Sequence, residues 1–183
     1  KWTFTVAAFD NEYTLIEDFT PIQDVESQLK VSPRGSTALL DAVGKTIVSV
    51  GEKLAALPES ERPIKVIMMI QTDGYENASK EFSSETLKAL ITKQTNDYNW
   101  QFMFLGADLM AVNAAQSWGI HAANTSLYNS ANNTATYDMQ NIKMKSLRSL
   151  QIDENDLKTG YATMACTAAF SPEEREELKA SKK

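Results

Sequence analysis

The amino-acid sequence predicts an α/β fold: a mostly parallel sheet with helices on both faces and one antiparallel edge strand. Three observations carry this reading. Two continuous apolar runs of strand length, "IKVIMMIQT" (64–72) and "WQFMFLGA" (100–107), lack a polar face, as strands covered on both sides do. Amphipathic stretches at 37–57, 83–94 and 108–118, with apolar residues three and four apart, alternate with those runs. In the first twenty residues, two apolar-rich runs flank a short polar turn, the mark of a hairpin.

Each element has its own local reason. "WTFTVAAFD" (2–10) places Trp2, Phe4 and Val6 on one strand face, Asp10-Asn11-Glu12 turns the chain, and "YTLIEDF" (13–19) returns antiparallel. Pro21, Pro33 and Gly35 punctuate a loop. From Thr37, the residues Leu39, Leu40, Val43, Ile47, Val50 and Leu54 give a helix that ends near Pro58. The strand at 64–72 follows Pro63. Ser83 caps the helix at 83–94, and Asp108 starts the one at 108–118, after the strand at 100–107. "GIHAAN" (119–124) reads as a short edge strand, and the polar "NTSLYNSANNTAT" leads into a helix at 136–150. In "SPEEREELKA", Ser171, Pro172 and Glu174 make a capping box.

Composition narrows the function classes. The chain has 183 residues, 43% hydrophobic and 23% charged, ordinary for one globular domain. Its net charge of −6 argues against a non-specific nucleic-acid binder, which needs basic patches to displace counterions. No run within it reaches the length of a membrane span or a signal-peptide core. One cysteine, Cys166, leaves no internal disulfide or Cys-based zinc site, and one histidine, His121, leaves no multi-His metal site. Cys166 sits in the small-residue run "ATMACTAAF" and is expected to be a buried thiol. His121 is expected to be packed or partly exposed, the three tryptophans to be core or sheet-edge residues, and the sequons at Asn77, Asn124 and Asn132 to be chance.

"RGSTALLDAVGKT" (34–46) ends in Gly-Lys-Thr, the tail of a phosphate-binding loop, and "VIMMIQTDG" (66–74) closes on Asp73 as a metal-binding strand closes. The loop test fails. A phosphate loop needs G-x-x-x-x-G-K-[ST], because its first glycine opens the nest of backbone N–H groups. That position is Leu39, no strand precedes the motif, and Gly44-Lys45-Thr46 falls inside the helical pattern. An ATPase or phosphotransferase using Asp73 on Mg²⁺ is accordingly a minor reading.

The residues before the helix carry more. Gly35-Ser36-Thr37 lies where a helix starts and Asp73-Gly74 where a strand ends, at the sheet edge where ligands sit in such folds. A hydroxyl and a carboxylate on neighbouring loops suit a hard cation such as Mg²⁺. Together, "PRGSTALLDAVGKTI" and "VIMMIQTDGYENAS" resemble the second and third motifs of a von Willebrand factor type A domain of the bacterial and bacteriophage kind. "WQFMFLGADLMAVNAAQSWGI" is similar to the family's later strand and helix. The resemblance implies a Rossmann-like core over 1–124, completed by a helical part at 125–183. It implies a metal-ion-dependent adhesion site with Thr37 and Asp73 as ligands, and Gly35, Ser36 and Gly74 shaping the loops. Glu76 and Asn77 are expected to be surface turn residues or to help start the next helix, with a rim role as the alternative.

The family's first motif, D-x-S-x-S, does not occur in the sequence. Two explanations stand. One strand and one helix precede Lys1 in the natural protein, as the absent Met and abrupt start favour, or this is a divergent member without a working metal site. If the segment is missing, the sheet lacks a central strand and another chain or segment must fill the gap. The function implied is binding without turnover: Mg²⁺ bridging to an acidic group of a protein partner, with no nucleic acid and no membrane. The alternative is a metal-free structural or assembly protein, with self-association as a further mode. The implied location is the cytoplasm of a bacterial or phage-infected cell, or a virion.

Overall fold

The computed structural model describes residues 1–25 and 35–180, so Pro33 and the final three residues lie outside it. The expected hairpin is present: β1 (Thr3–Phe9) and β2 (Tyr13–Pro21) pair antiparallel, and Pro21 ends β2 instead of lying in a loop. β3 (Ile67–Thr72), β4 (Gln101–Gly106) and β5 (Thr125–Leu127) form a parallel sheet in that order. The chain is α/β, but the described residues form two sheets where one was expected, because no ladder joins β1 to β3. β4 is buried at every residue, whereas β3 is fully buried only at Ile70 and Thr72. β3 packs into core clusters on both faces, Met68 and Ile70 on one and Ile67 and Met69 on the other, but less completely than β4, and among the described residues it pairs with β4 alone.

Among the described residues six α-helices accompany the sheets: α1 (Leu39–Ala56), α2 (Ser84–Tyr98), α3 (Leu109–Ser117), α4 (Asn133–Ser149), α5 (Leu157–Ala168) and α6 (Pro172–Lys179). The expected caps form. Ser83 accepts from Thr86 N at 3.2 Å, Asp108 from Ala111 N at 2.9 Å, and Ser171 with Glu174 makes the full capping box. α4 begins at Asn133, ahead of the expected Thr136. α5 is formed by the small-residue run that carries no strong helical period. Cys166 is exposed there, against expectation. Met164 and Ala168, four apart, turn inward, and a residue midway between them points outward.

Alternation along β4 divides the core. Phe102 and Phe104 face α1, α2 and α3, in a cluster with Val43, Ile47, Leu87, Ile91 and Trp118. Met103 and Leu105 face α4, α5 and α6, with Met139, Leu147, Met164 and Leu178.

The edge strand expected at 119–124 is absent. That stretch is a turn closing in one 3-10 turn at Ala122–Asn124, and the strand is the next three residues, inside the polar run. Side chains make this possible. Gln116 Nε2 donates to Thr125 Oγ1 at 2.8 Å. The Arg175 guanidinium, on α6, donates to the carbonyls of Ala122 (3.1 Å), Ala123 (2.7 Å) and Thr125. The polar groups of β5 are thus satisfied inside the protein.

β1 and β3 run in the same direction. At their starts, Lys65 Nζ lies 5.5 Å from the Trp2 ring centroid, while donating to the Leu147 and Leu150 carbonyls at the end of α4. At their ends, Ala38 N donates to Asp10 O at 2.7 Å, one residue from Thr37, which pairs with Asn77 beyond β3.

Candidate functional site

The site lies where β1 and β3 end and α1 begins. Two loops meet there through a reciprocal pair of hydrogen bonds: Thr37 N donates to Asn77 Oδ1 at 2.9 Å, and Asn77 N to Thr37 O at 3.0 Å. Thr37 Oγ1 presses against Gly74, so closely that a Cβ at position 74 would overlap it. Gly74 is therefore required for close approach, not for an unusual backbone angle. Thr72 Oγ1 holds the turn, donating to Gly74 O at 3.0 Å and accepting from Gly74 N at 3.2 Å. The structure brings Thr37 beside the Asp73-Gly74 loop, as the sequence predicts.

The other expected site residues divide. Asp73 is exposed, and its charge reaches the buried Tyr128. Burial raises the Tyr128 hydroxyl pKa and that charge adds to the rise, while a hydrogen bond with Gln71 opposes it. Ser36 is half-buried and lines a cavity of about 430 Å³, with Tyr13, Asp41, Lys45 and Asn77. Gly35 is exposed with open space around it, so nothing in the structure demands a glycine there.

Two carboxylates do the lacing, Glu76, expected at a surface turn or a helix start, and Asp41, which the sequence reading did not single out. Glu76 accepts from Leu40 N at 2.8 Å in the first turn of α1, and from Ala78 N, Ser79 N and Ser79 Oγ. It is no simple surface turn residue: it supplies the cap that the Ala38 side chain cannot. Burial pushes its pKa up, but these hydrogen bonds outweigh that and hold it below the ordinary value. Buried Asp41 accepts from Lys80, Glu81 and Phe82 N at 2.8–2.9 Å, and again the hydrogen bonds, aided by Lys45, overcome burial and lower its pKa. The available signal was one acidic residue on the apolar face of the predicted helix.

No family model, curated protein or solved structure matches this chain. Its chemistry rests on its own residues. The Gly-Lys-Thr triplet is spent on packing. Gly44 accepts the Phe82 ring against its Cα, where a Cβ would overlap it. Lys45 pairs with Glu81 at 2.7 Å, and Thr46 Oγ1 donates to Ala42 O at 2.8 Å. None of the three lies on a phosphate-binding loop.

Thr37, Ser36 and Asp73 offer only hard oxygen, the donor type Mg²⁺ takes. Among the described residues no cluster of three or more His, Cys, Asp or Glu side chains is placed to hold a metal. By donor type alone, one carboxylate and two hydroxyls suit a hydrated divalent cation that keeps most of its water.

Proposed function

We propose that the chain is a protein-binding module of the von Willebrand factor type A kind, with Mg²⁺ held by Thr37 and Asp73 and reaching an acidic group of the partner. The observation that carries this is the contact of the Thr37 hydroxyl with the Asp73-Gly74 loop at the carboxyl end of the parallel sheet. In such sheets ligands bind at that end. Asp73 supplies the negative charge, Thr37 a neutral oxygen, and Gly74 the room that lets the two loops close. The cation, when bound, supplies positive charge to an otherwise acidic chain so that an acidic partner can approach. The role is binding without turnover.

Mn²⁺ as a paramagnetic probe tests the site directly. Titration is expected to broaden the amide signals of Thr37 and Gly74 first, and Asp73→Ala to abolish that broadening. Broadening spread evenly over surface carboxylates would overturn the reading. A second reading, a metal-free assembly module that keeps this fold, is favoured by one observation: among the described residues no ladder joins β1 to β3.

A further inference from the structure

Asn77 is held by only half of its side-chain amide. Its Oδ1 accepts from Thr37 N at 2.9 Å, and its backbone N–H donates to Thr37 O at 3.0 Å. The first bond fixes which end of the amide carries the oxygen, because Thr37 N–H needs an acceptor. Nδ2 is the other end, and it donates to no group among the described residues. Asn77 is exposed, and it lines the cavity that Ser36 also lines. The amide thus keeps two N–H bonds for an acceptor from outside.

The structural task does not require an amide. An aspartate oxygen would accept from Thr37 N and close the same pair, so what asparagine adds is the donor. Neighbouring donors are spent. Glu76 takes Leu40 N, Ser79 N and Ser79 Oγ, Asp41 takes three backbone N–H groups, and Lys45 pairs with Glu81. Lys80 lines the same cavity, but on a long flexible stem. Asn77 Nδ2 is different: its loop, which also carries Asp73 and Gly74, is fastened to Thr37 by the other half of the same amide.

We propose that Asn77 Nδ2 is the donor that recognises the partner's acidic group, holding one carboxylate oxygen while the other meets the cation. The proposal rests on the cation reading. It adds what that reading lacks, a reason for the partner group to be a carboxylate. A hydroxyl or a backbone carbonyl presents one oxygen and can serve the cation or the amide; a carboxylate presents two and serves both. Because Oδ1 is committed to Thr37, the amide cannot turn over to offer an acceptor instead, so a cationic or donor-only group gains nothing there.

Acetate is the probe, followed through the side-chain NH₂ signal of Asn77 in the Mg²⁺-loaded protein. Titration is expected to move those protons downfield and to saturate, and EDTA to abolish the effect. Asn77→Asp keeps the oxygen that Thr37 N needs but turns the donor into a charged acceptor. It is expected to weaken acetate at least about tenfold, while Mn²⁺ still broadens Thr37 and Gly74 as in the unaltered protein. The two readings fail differently. No Mn²⁺ broadening at Thr37 and Gly74 of the unaltered protein, with acetate absent, would remove the cation site and this proposal with it. Broadening present, with the Asn77 side chain unmoved by acetate, would overturn the proposal alone. So would equal acetate affinity in Asn77→Asp, or a loss produced by Lys80→Ala in its place.

Discussion

β3 and β4 lie side by side in register, "IMMIQT" against "QFMFLG", and differ sharply in burial. All six residues of β4 are buried, against two of six in β3. The difference lies in their neighbours, not in their own hydrophobicity. β4 has β3 on one side and β5 on the other, whereas among the described residues β3 pairs with β4 alone. An apolar run states that a strand should be covered; it does not state that the covering partner lies in the same stretch of chain.

Met69 and Met103 make the sharpest test, being register partners in the same core cluster. Met103 is fully buried, so Met103→Ala is expected to cost about 2–5 kcal/mol in urea denaturation, the range for truncating a core methionine. Met69→Ala, half-buried at the edge, should cost about 1 kcal/mol, since much less apolar surface returns to water. Equal costs would break the comparison and mean that β3 is covered in solution.

What was legible in the sequence follows the same division between local and long-range causes. The caps at Ser83, Asp108 and Ser171 were readable because side chain and partner amide lie three residues apart. The meeting of Thr37 with the Asp73-Gly74 loop was predicted from two motifs and found. β5 was not readable: its "TSL" is polar and short, and it is buried because Arg175, fifty residues away, satisfies its carbonyls. The roles of Glu76 and Asp41 were hidden for the same reason, their partners lying up to forty-one residues off.

The junction between α1 and the loop after β3 differs from the β3 edge in being laced by hydrogen bonds, and the Phe82 ring packs directly on Gly44 there. Gly44→Ala is expected to destabilise by about 1–2 kcal/mol. The gain in helix propensity, about 1 kcal/mol, loses to the overlap with the Phe82 ring, typically about 1–3 kcal/mol for overpacking. With Phe82→Ala in the background, the same change should become stabilising. A double-mutant cycle showing no such reversal would mean that Phe82 does not hold Gly44 in place.

The lacing carboxylates give this junction a pH dependence that the β3 edge lacks. Both pKa values lie below their ordinary ones, 4.5 for Glu76 and 3.8 for Asp41. A depressed folded-state pKa contributes stability that is present above the unfolded value and lost as pH falls through the folded one. Stability is therefore expected to decline below pH 4.5, first through Glu76 and then through Asp41. Glu76→Gln should remove the first part of that slope and cost about 1–3 kcal/mol at neutral pH, as expected for disturbing a part-buried charged acceptor. A slope unchanged in both Glu76→Gln and Asp41→Asn would place the acid sensitivity elsewhere.

The smallest effect on stability is expected where the largest effect on binding is proposed. Asp73 stands three residues before Glu76 on the same loop, exposed, and its carboxylate makes no hydrogen bond among the described residues. Asp73→Ala should accordingly change stability by no more than about 0.5 kcal/mol, the usual limit for an exposed side chain without a structural role. The fold has committed Glu76 and left Asp73 exposed on the loop whose Gly74 meets the Thr37 hydroxyl. A side chain spent on structure is not available to a ligand, and a charged one left over on a loop this firmly held is preorganised for one. Two measurements on Asp73→Ala separate the possibilities. Unchanged urea denaturation with loss of Mn²⁺ broadening at Thr37 and Gly74 assigns Asp73 to binding. A large loss of stability would instead make Asp73 a third lacing carboxylate and remove the ground for a cation site there.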